Sequence, residues 1–124
     1  MTPEERKALW RSLEEKYRPY LSYDGIPYLS EGTRWQYQMH IYESPFYYID
    51  YCLAQSVAFG FLVKAEQNRE QAFADYLEFA KKGGTESFES LVEGAGITSP
   101  FKEGALVDIV SKISEIATKL EAEV

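Results

Sequence analysis

Histidine and cysteine are almost missing from this chain of 124 residues: His40 and Cys52 are the single instance of each. One cysteine cannot form a disulfide within the chain, which points to a reducing, cytoplasmic setting and to Cys52 as a small buried thiol. One histidine cannot build the multi-histidine sites on which hydrolytic zinc usually rests. H-E-x-x-H and C-x-x-C are absent, Asp24, Asp50 and Asp75 lack calcium-loop spacing, and no phosphate-cradling glycine motif occurs. No metal site made by this chain alone is expected. A serine nucleophile is equally unsupported, because Ser44 near His40 has no G-x-S-x-G elbow.

Positive charge is also scarce. Thirteen Lys and Arg stand against 20 Asp and Glu, a formal net charge of -7. Phosphate recognition needs clustered cations, so nucleic acid is excluded as a partner. The N-terminus, MTPEER, is charged rather than apolar and is not a secretory signal. The longest charge-poor stretch, Pro45 to Val63, carries only Asp50 as a formal charge and approaches the length of a membrane span. Asp50, Gln55 and three tyrosines would be costly in lipid, so the stretch reads as the buried central helix of a body with no membrane segment.

What is abundant is helical periodicity. The length predicts one domain over residues 1–124, all-α, with about five helices. Thr2, Pro3 and Glu5 form a capping box for a first helix ending before Pro19, with Leu9, Leu13 and Tyr17 on one face. Pro19 to Thr33 reads as an ordered loop, and Arg34 to Ile41 as a short helix or extended lead-in. Ser44-Pro45 then predicts the start of the central helix, with Ser44 as N-cap, running to about Gln67. Asn68 caps a third helix stopped by Gly83-Gly84, and Thr85 caps a short fourth stopped by Gly94 or Gly96. Ser99-Pro100 opens the last helix, whose Leu106, Ile109, Val110, Ile113, Ile116, Ala117 and Leu120 share one face.

Candidate chemistry gathers in the run HIYESPFYYIDYCLAQ, residues 40–55. On one helix Ser44, Tyr48, Tyr51 and Gln55 would share a narrow polar strip, where phenols could donate to a developing oxyanion. His40, just before it, could hydrogen-bond a peptide carbonyl or serve as a capping histidine. Asp50, as a buried carboxylate, would need a cation such as Arg34 or a tyrosine partner.

The stretch from Gly32 to Gln55, with H-x-Y-x-x-P-F-Y-Y-x-D-Y-x-x-A-Q at its centre, resembles the C-terminal part of the oligoendopeptidase F family, zinc metallopeptidases related to thimet oligopeptidase. Thr2-Pro-Glu-Glu, Tyr17-Arg-Pro, Tyr76-Leu-Glu-Phe and Gly83-Gly84 also resemble that family. The resemblance implies a largely helical peptidase with a deep cleft that cleaves short peptides, its zinc held by H-E-x-x-H and a downstream glutamate. It implies substrate binding by His40, Tyr42, Tyr48 and Tyr51, and transition-state stabilisation by His40, Tyr48 and Tyr51. Tyr47 carries over less directly, since it points elsewhere on the helix.

The zinc motif lies outside these 124 residues, so the chain reads as a C-terminal piece, inactive alone, whose partner is the missing N-terminal catalytic part. Its uncovered face would expose apolar surface and favour self-association. The alternative is a non-enzymatic helical module that binds a peptide or protein through the aromatic strip.

Overall fold

A computed structural model describes residues 1–123. Among them it contains seven α-helices, one 3-10 turn and no strand: α1 (Pro3–Tyr17), α2 (Pro27–Ser30), the turn Arg34–Tyr37, α3 (Met39–Glu43), α4 (Ile49–Gln67), α5 (Arg69–Lys81), α6 (Phe88–Gly94) and α7 (Ala105–Glu121). The all-α expectation holds. The five main helices are α1 and α4 to α7; α2, α3 and the 3-10 turn are short additions in the stretch read as loop and lead-in. The chain divides into two compact units, Met1–Tyr48 and a second from Ile49 onward.

In the first unit the Thr2 hydroxyl accepts from Glu5 N while the Glu5 carboxylate accepts from Thr2 N at 2.7 Å, so the capping box forms as read. The segment after α1 then folds back along it. Gly32 makes this possible: a Cβ there would lie 2.2 Å from Lys7 O, and its φ of +81° suits glycine. Polar tethers hold the return. Lys7 Nζ donates to Glu31 at 2.7 Å, Arg11 Nη2 to Ser30 O at 2.7 Å, and Tyr23 Oη to the buried Glu14 at 2.8 Å. Leu9, Leu13 and Tyr17, the predicted apolar face of α1, are exposed.

The second unit has an apolar centre. Val57 of α4, Val92 of α6, Ala95 and Ile97 are buried together, with Phe61, Phe79 and Phe88 packed around them. Gly60 lets the strand of chain at Ile97 approach α4, since a Cβ there would meet Ile97 Cγ2 at 2.6 Å. Lys64 ties three segments: its ammonium donates to Asp75 Oδ2 on α5 and to Ala95 O at the end of α6, both at 2.5 Å. Asn68 caps α5 by accepting from Gln71 N, as read. Ile109, Ile113 and Ile116 of α7 are half-buried, while Leu106, Val110 and Leu120 are exposed.

Several boundaries differ from the sequence reading. The central helix begins at Ile49, not at Ser44. Ser44 N is already committed to His40 O, closing α3, and Tyr47 N to Ser44 O closes a turn; Phe46 sits between them at φ +69°. A left-handed aromatic residue interrupts the helical path that Pro45 would have opened. Ser87, not Thr85, caps α6. The last helix starts at Ala105 rather than Pro100, because Ser99 is buried and its hydroxyl accepts from Phe101 N, holding a turn. Within α4, Ala54, Ala58, Cys52 and Asp50 are exposed, so neither a buried thiol nor a buried carboxylate is present there. Asp50 therefore needs no buried cation, and Arg34 approaches Glu14 instead, Nε to Oε1 at 4.0 Å.

Candidate functional site

The short helix α3 exists because the chain leaves the 3-10 turn at Gln38 in an extended conformation and turns again at Ser44. This places His40 half-buried on five helical residues rather than on a loop. The turn through Phe46 then brings the two following tyrosines back over the imidazole. The His40 and Tyr48 ring centroids are 4.9 Å apart with planes tilted by 40°, and Tyr47 stacks at 6.3 Å and 26°. Tyr48, at 49 % exposure, keeps an accessible edge, and Gln38 Nε2 donates to its hydroxyl at 3.3 Å.

Two of the predicted residues, His40 and Tyr48, are thus in one cluster, and Tyr47, which the resemblance carried over less directly, stacks on the same imidazole. Tyr42 turns the other way and stacks on Trp35, centroids 6.0 Å apart and planes at 26°, with the Arg6 guanidinium carbon 6.0 Å from the Trp35 ring. Tyr51 stands half-exposed on the first turn of α4 in the second unit, with Gln55 one turn further on. The single-helix strip through Ser44, Tyr48, Tyr51 and Gln55 is overturned, because Ser44 and Tyr48 precede α4. Its exposed members reach solvent by different elements, and no burial of phenols has to be offset.

Gln38 was missed in the sequence. Its only signal was its place two residues before His40 in a run of polar and aromatic residues, and that does not distinguish a side chain that orients a phenol from one that is solvated. Trp35 was missed likewise as the platform for Tyr42.

One imidazole and the exposed thiol of Cys52 are the softer donors, and among the described residues no three His, Cys, Asp or Glu side chains converge. No helix among the described residues is long and apolar enough to cross a membrane.

No family model and no curated protein matches the chain. Two solved structures do. A crystal structure at 3.1 Å of a protein assigned as oligoendopeptidase F is similar at 45 % identity and TM-score 0.84, over 93 % of this chain and 20 % of that one. PZ peptidase A, solved with an inhibitor, is similar at 44 % identity and TM-score 0.86, over 95 % of this chain and 21 % of that one. The chain thus spans about one fifth of the length of each protein it matches. With fold and sequence agreeing over nearly all of its residues, as the run from Gly32 to Gln55 implied, this chain is the counterpart of one segment of an oligoendopeptidase F-type peptidase.

Proposed function

We propose that these residues are the C-terminal, substrate-binding part of a zinc-dependent oligoendopeptidase that hydrolyses short peptides in the cytoplasm. The observation that carries the reading is the likeness to two peptidases at 44–45 % identity over 93–95 % of the chain. The His40, Tyr47 and Tyr48 cluster supports it, since it presents an imidazole and phenols at an accessible surface.

In this reading His40 donates to a backbone carbonyl of the bound peptide. Tyr48, oriented by Gln38, donates to the oxygen that gains charge as the scissile carbonyl becomes tetrahedral. Tyr42, fixed against Trp35, contacts the peptide further along. Donors held in advance by packing need no reorganisation during the reaction, which is where such groups lower a barrier. Zinc and the general base belong to the part of the peptidase outside these residues, so the chain by itself does not hydrolyse peptides.

The test is a graft. PZ peptidase A carrying this chain in place of its matching fifth is assayed on a quenched short peptide, beside the 124-residue chain alone. Cleavage by the graft and none by the chain is expected. A folded graft that binds zinc yet leaves the peptide intact would favour the second reading, a helical module that binds peptide or protein without chemistry. The exposed apolar surface at Phe73, Tyr76 and Leu62 is the observation on that side, and it would equally meet the rest of the peptidase or a second copy of the chain.

A further inference from the structure

The first unit contains a cavity of about 430 Å³ lined by Tyr28, Leu29, Thr33, Arg34, Gln36 and Tyr37. It is set by the return of the chain after α1 and by the 3-10 turn, whose last residue, Tyr37, directly precedes the Gln38 that donates to Tyr48. Its volume falls in the range of small-molecule sites. Two of its walls are aromatic: Tyr37 is 90 % exposed, and Tyr28 is held by a hydrogen bond from its hydroxyl to Gln36.

Arg34 is the cation of this cavity, and its bonding differs from that of Arg6, Lys7 and Arg11. Arg6, Lys7 and Arg11 each donate a 2.7 Å hydrogen bond, to Met1 O, Glu31 and Ser30 O. Tyr20 beside Arg18 raises the guanidinium pKa, and the Lys16 ammonium lies 5.0 Å from the Tyr17 ring centroid. Arg34 meets its carboxylate only through Nε, at 4.0 Å, beyond hydrogen-bond distance. Glu14 has a closer donor in Tyr23, at 2.8 Å. A guanidinium carries five donors in a planar fork, and an edge of two N–H groups matches a carboxylate.

We propose that Arg34 and the aromatic walls of this cavity form a subsite for the C-terminal carboxylate of a short peptide, with Tyr28 and Tyr37 packing on its last side chain. The ligand is a monoanion with an apolar neighbour: one guanidinium in a chain of net charge -7 suits a single carboxylate and gives a polyanion no further cation. The proposal rests on the peptide reading above and adds to it recognition of a free C-terminus: free carboxylate termini would be bound, and blocked ones would not.

The test is isothermal titration calorimetry at low salt of the 124-residue chain with N-acetyl-glycyl-phenylalanine and with its C-terminal amide. The acid is expected to bind about tenfold more tightly. Arg34→Gln should bring the acid down to the level of the amide, Arg34→Lys should retain part of the difference, and Tyr37→Ala should weaken both ligands alike. Equal binding of acid and amide, failure of both to saturate at millimolar concentration, or discrimination surviving Arg34→Gln would each overturn the subsite. Far-UV circular dichroism checks the fold of each variant, and should Arg34→Gln unfold, the Lys and Tyr37 variants decide. Failure here is separable from failure of the peptidase reading. A graft that cleaves peptides while its chain ignores the carboxylate removes only the subsite; an inactive graft whose chain selects the carboxylate removes only the catalysis.

Discussion

In the second unit the most deeply buried large side chain is Val92, enclosed by Val57, Ala95, Ile97 and three phenylalanines. In the first unit the buried side chains are Glu14 and Thr33, and Trp10, Leu29 and Trp35 are only half covered. There the chain is pinned by ion pairs and hydrogen bonds to backbone carbonyls. Among the described residues neither the Trp10 nor the Trp35 indole N–H meets an acceptor, although both atoms are buried. Apolar burial is insensitive to the details of one contact, whereas a polar tether fails when one partner goes. The candidate histidine, two of its tyrosines and the Arg34 cavity all lie in the polar-tethered unit, where side chains are placed by specific bonds and remain open to a ligand.

That difference can be broken most severely at Gly32. Gly32→Ala would set a Cβ 2.2 Å from Lys7 O at a positive φ, with no flexible atom to yield, and should cost about 3 kcal/mol or more. Hydrogen exchange should show protection lost at residues 21–33 and kept in α4 to α7; uniform loss through both units would erase the distinction. In the second unit, Gly60→Ala presses on Ile97 and should cost about 1–3 kcal/mol. Its signature is a lower unfolding midpoint for α4 and α6, with the His40 ring signals unmoved in the NMR spectrum.

A subtler probe is Tyr23→Phe, which leaves the buried Glu14 without its 2.8 Å donor and should cost about 1–3 kcal/mol. Urea titration followed by tryptophan fluorescence reads it, because Trp10 and Trp35 are both in the first unit. Burial, reinforced by the Glu14 hydrogen bond, raises the Tyr23 phenol above its ordinary 10.0. The stabilisation is therefore complete below pH 10 and lost as pH rises through the shifted value, and Tyr23→Phe should lose that alkaline dependence.

Acid gives the smallest effect. The Lys64 ammonium, then Gln71, hold the Asp75 carboxyl below its ordinary 3.8. Its stabilising share is present above that value and disappears as pH falls through the lowered one. Asp75→Asn should flatten the acid limb of the thermal midpoint in the second unit by a small amount, since the pair is only part-buried and solvent still screens it.

Legibility in the sequence followed the same division. The Thr2 and Asn68 caps and the glycine stops after α5 and α6 were readable because each is a local signal acting on its own neighbours. α7 was readable as a helix, but not which part of its apolar face would be covered, since Ile109, Ile113 and Ile116 differ from Leu106 and Leu120 only in what packs on them. The start of α4 was misread at Ser44, where closure of α3 competes for the same residue and Phe46 takes a conformation no propensity suggests. His40 with Tyr48 was legible as a pattern. The geometry that pairs them, a turn rather than a shared helix, and the role of Gln38 depend on contacts that composition does not encode.

The central claim is that the His40 and Tyr48 cluster belongs to the substrate wall of a peptidase. In the grafted PZ peptidase A, His40→Ala and Tyr48→Phe should each lower kcat on a short quenched peptide by about 10²–10³-fold while KM changes far less, as loss of a transition-state donor requires. Full kcat in both variants, with the graft folded and zinc-loaded, would contradict the account.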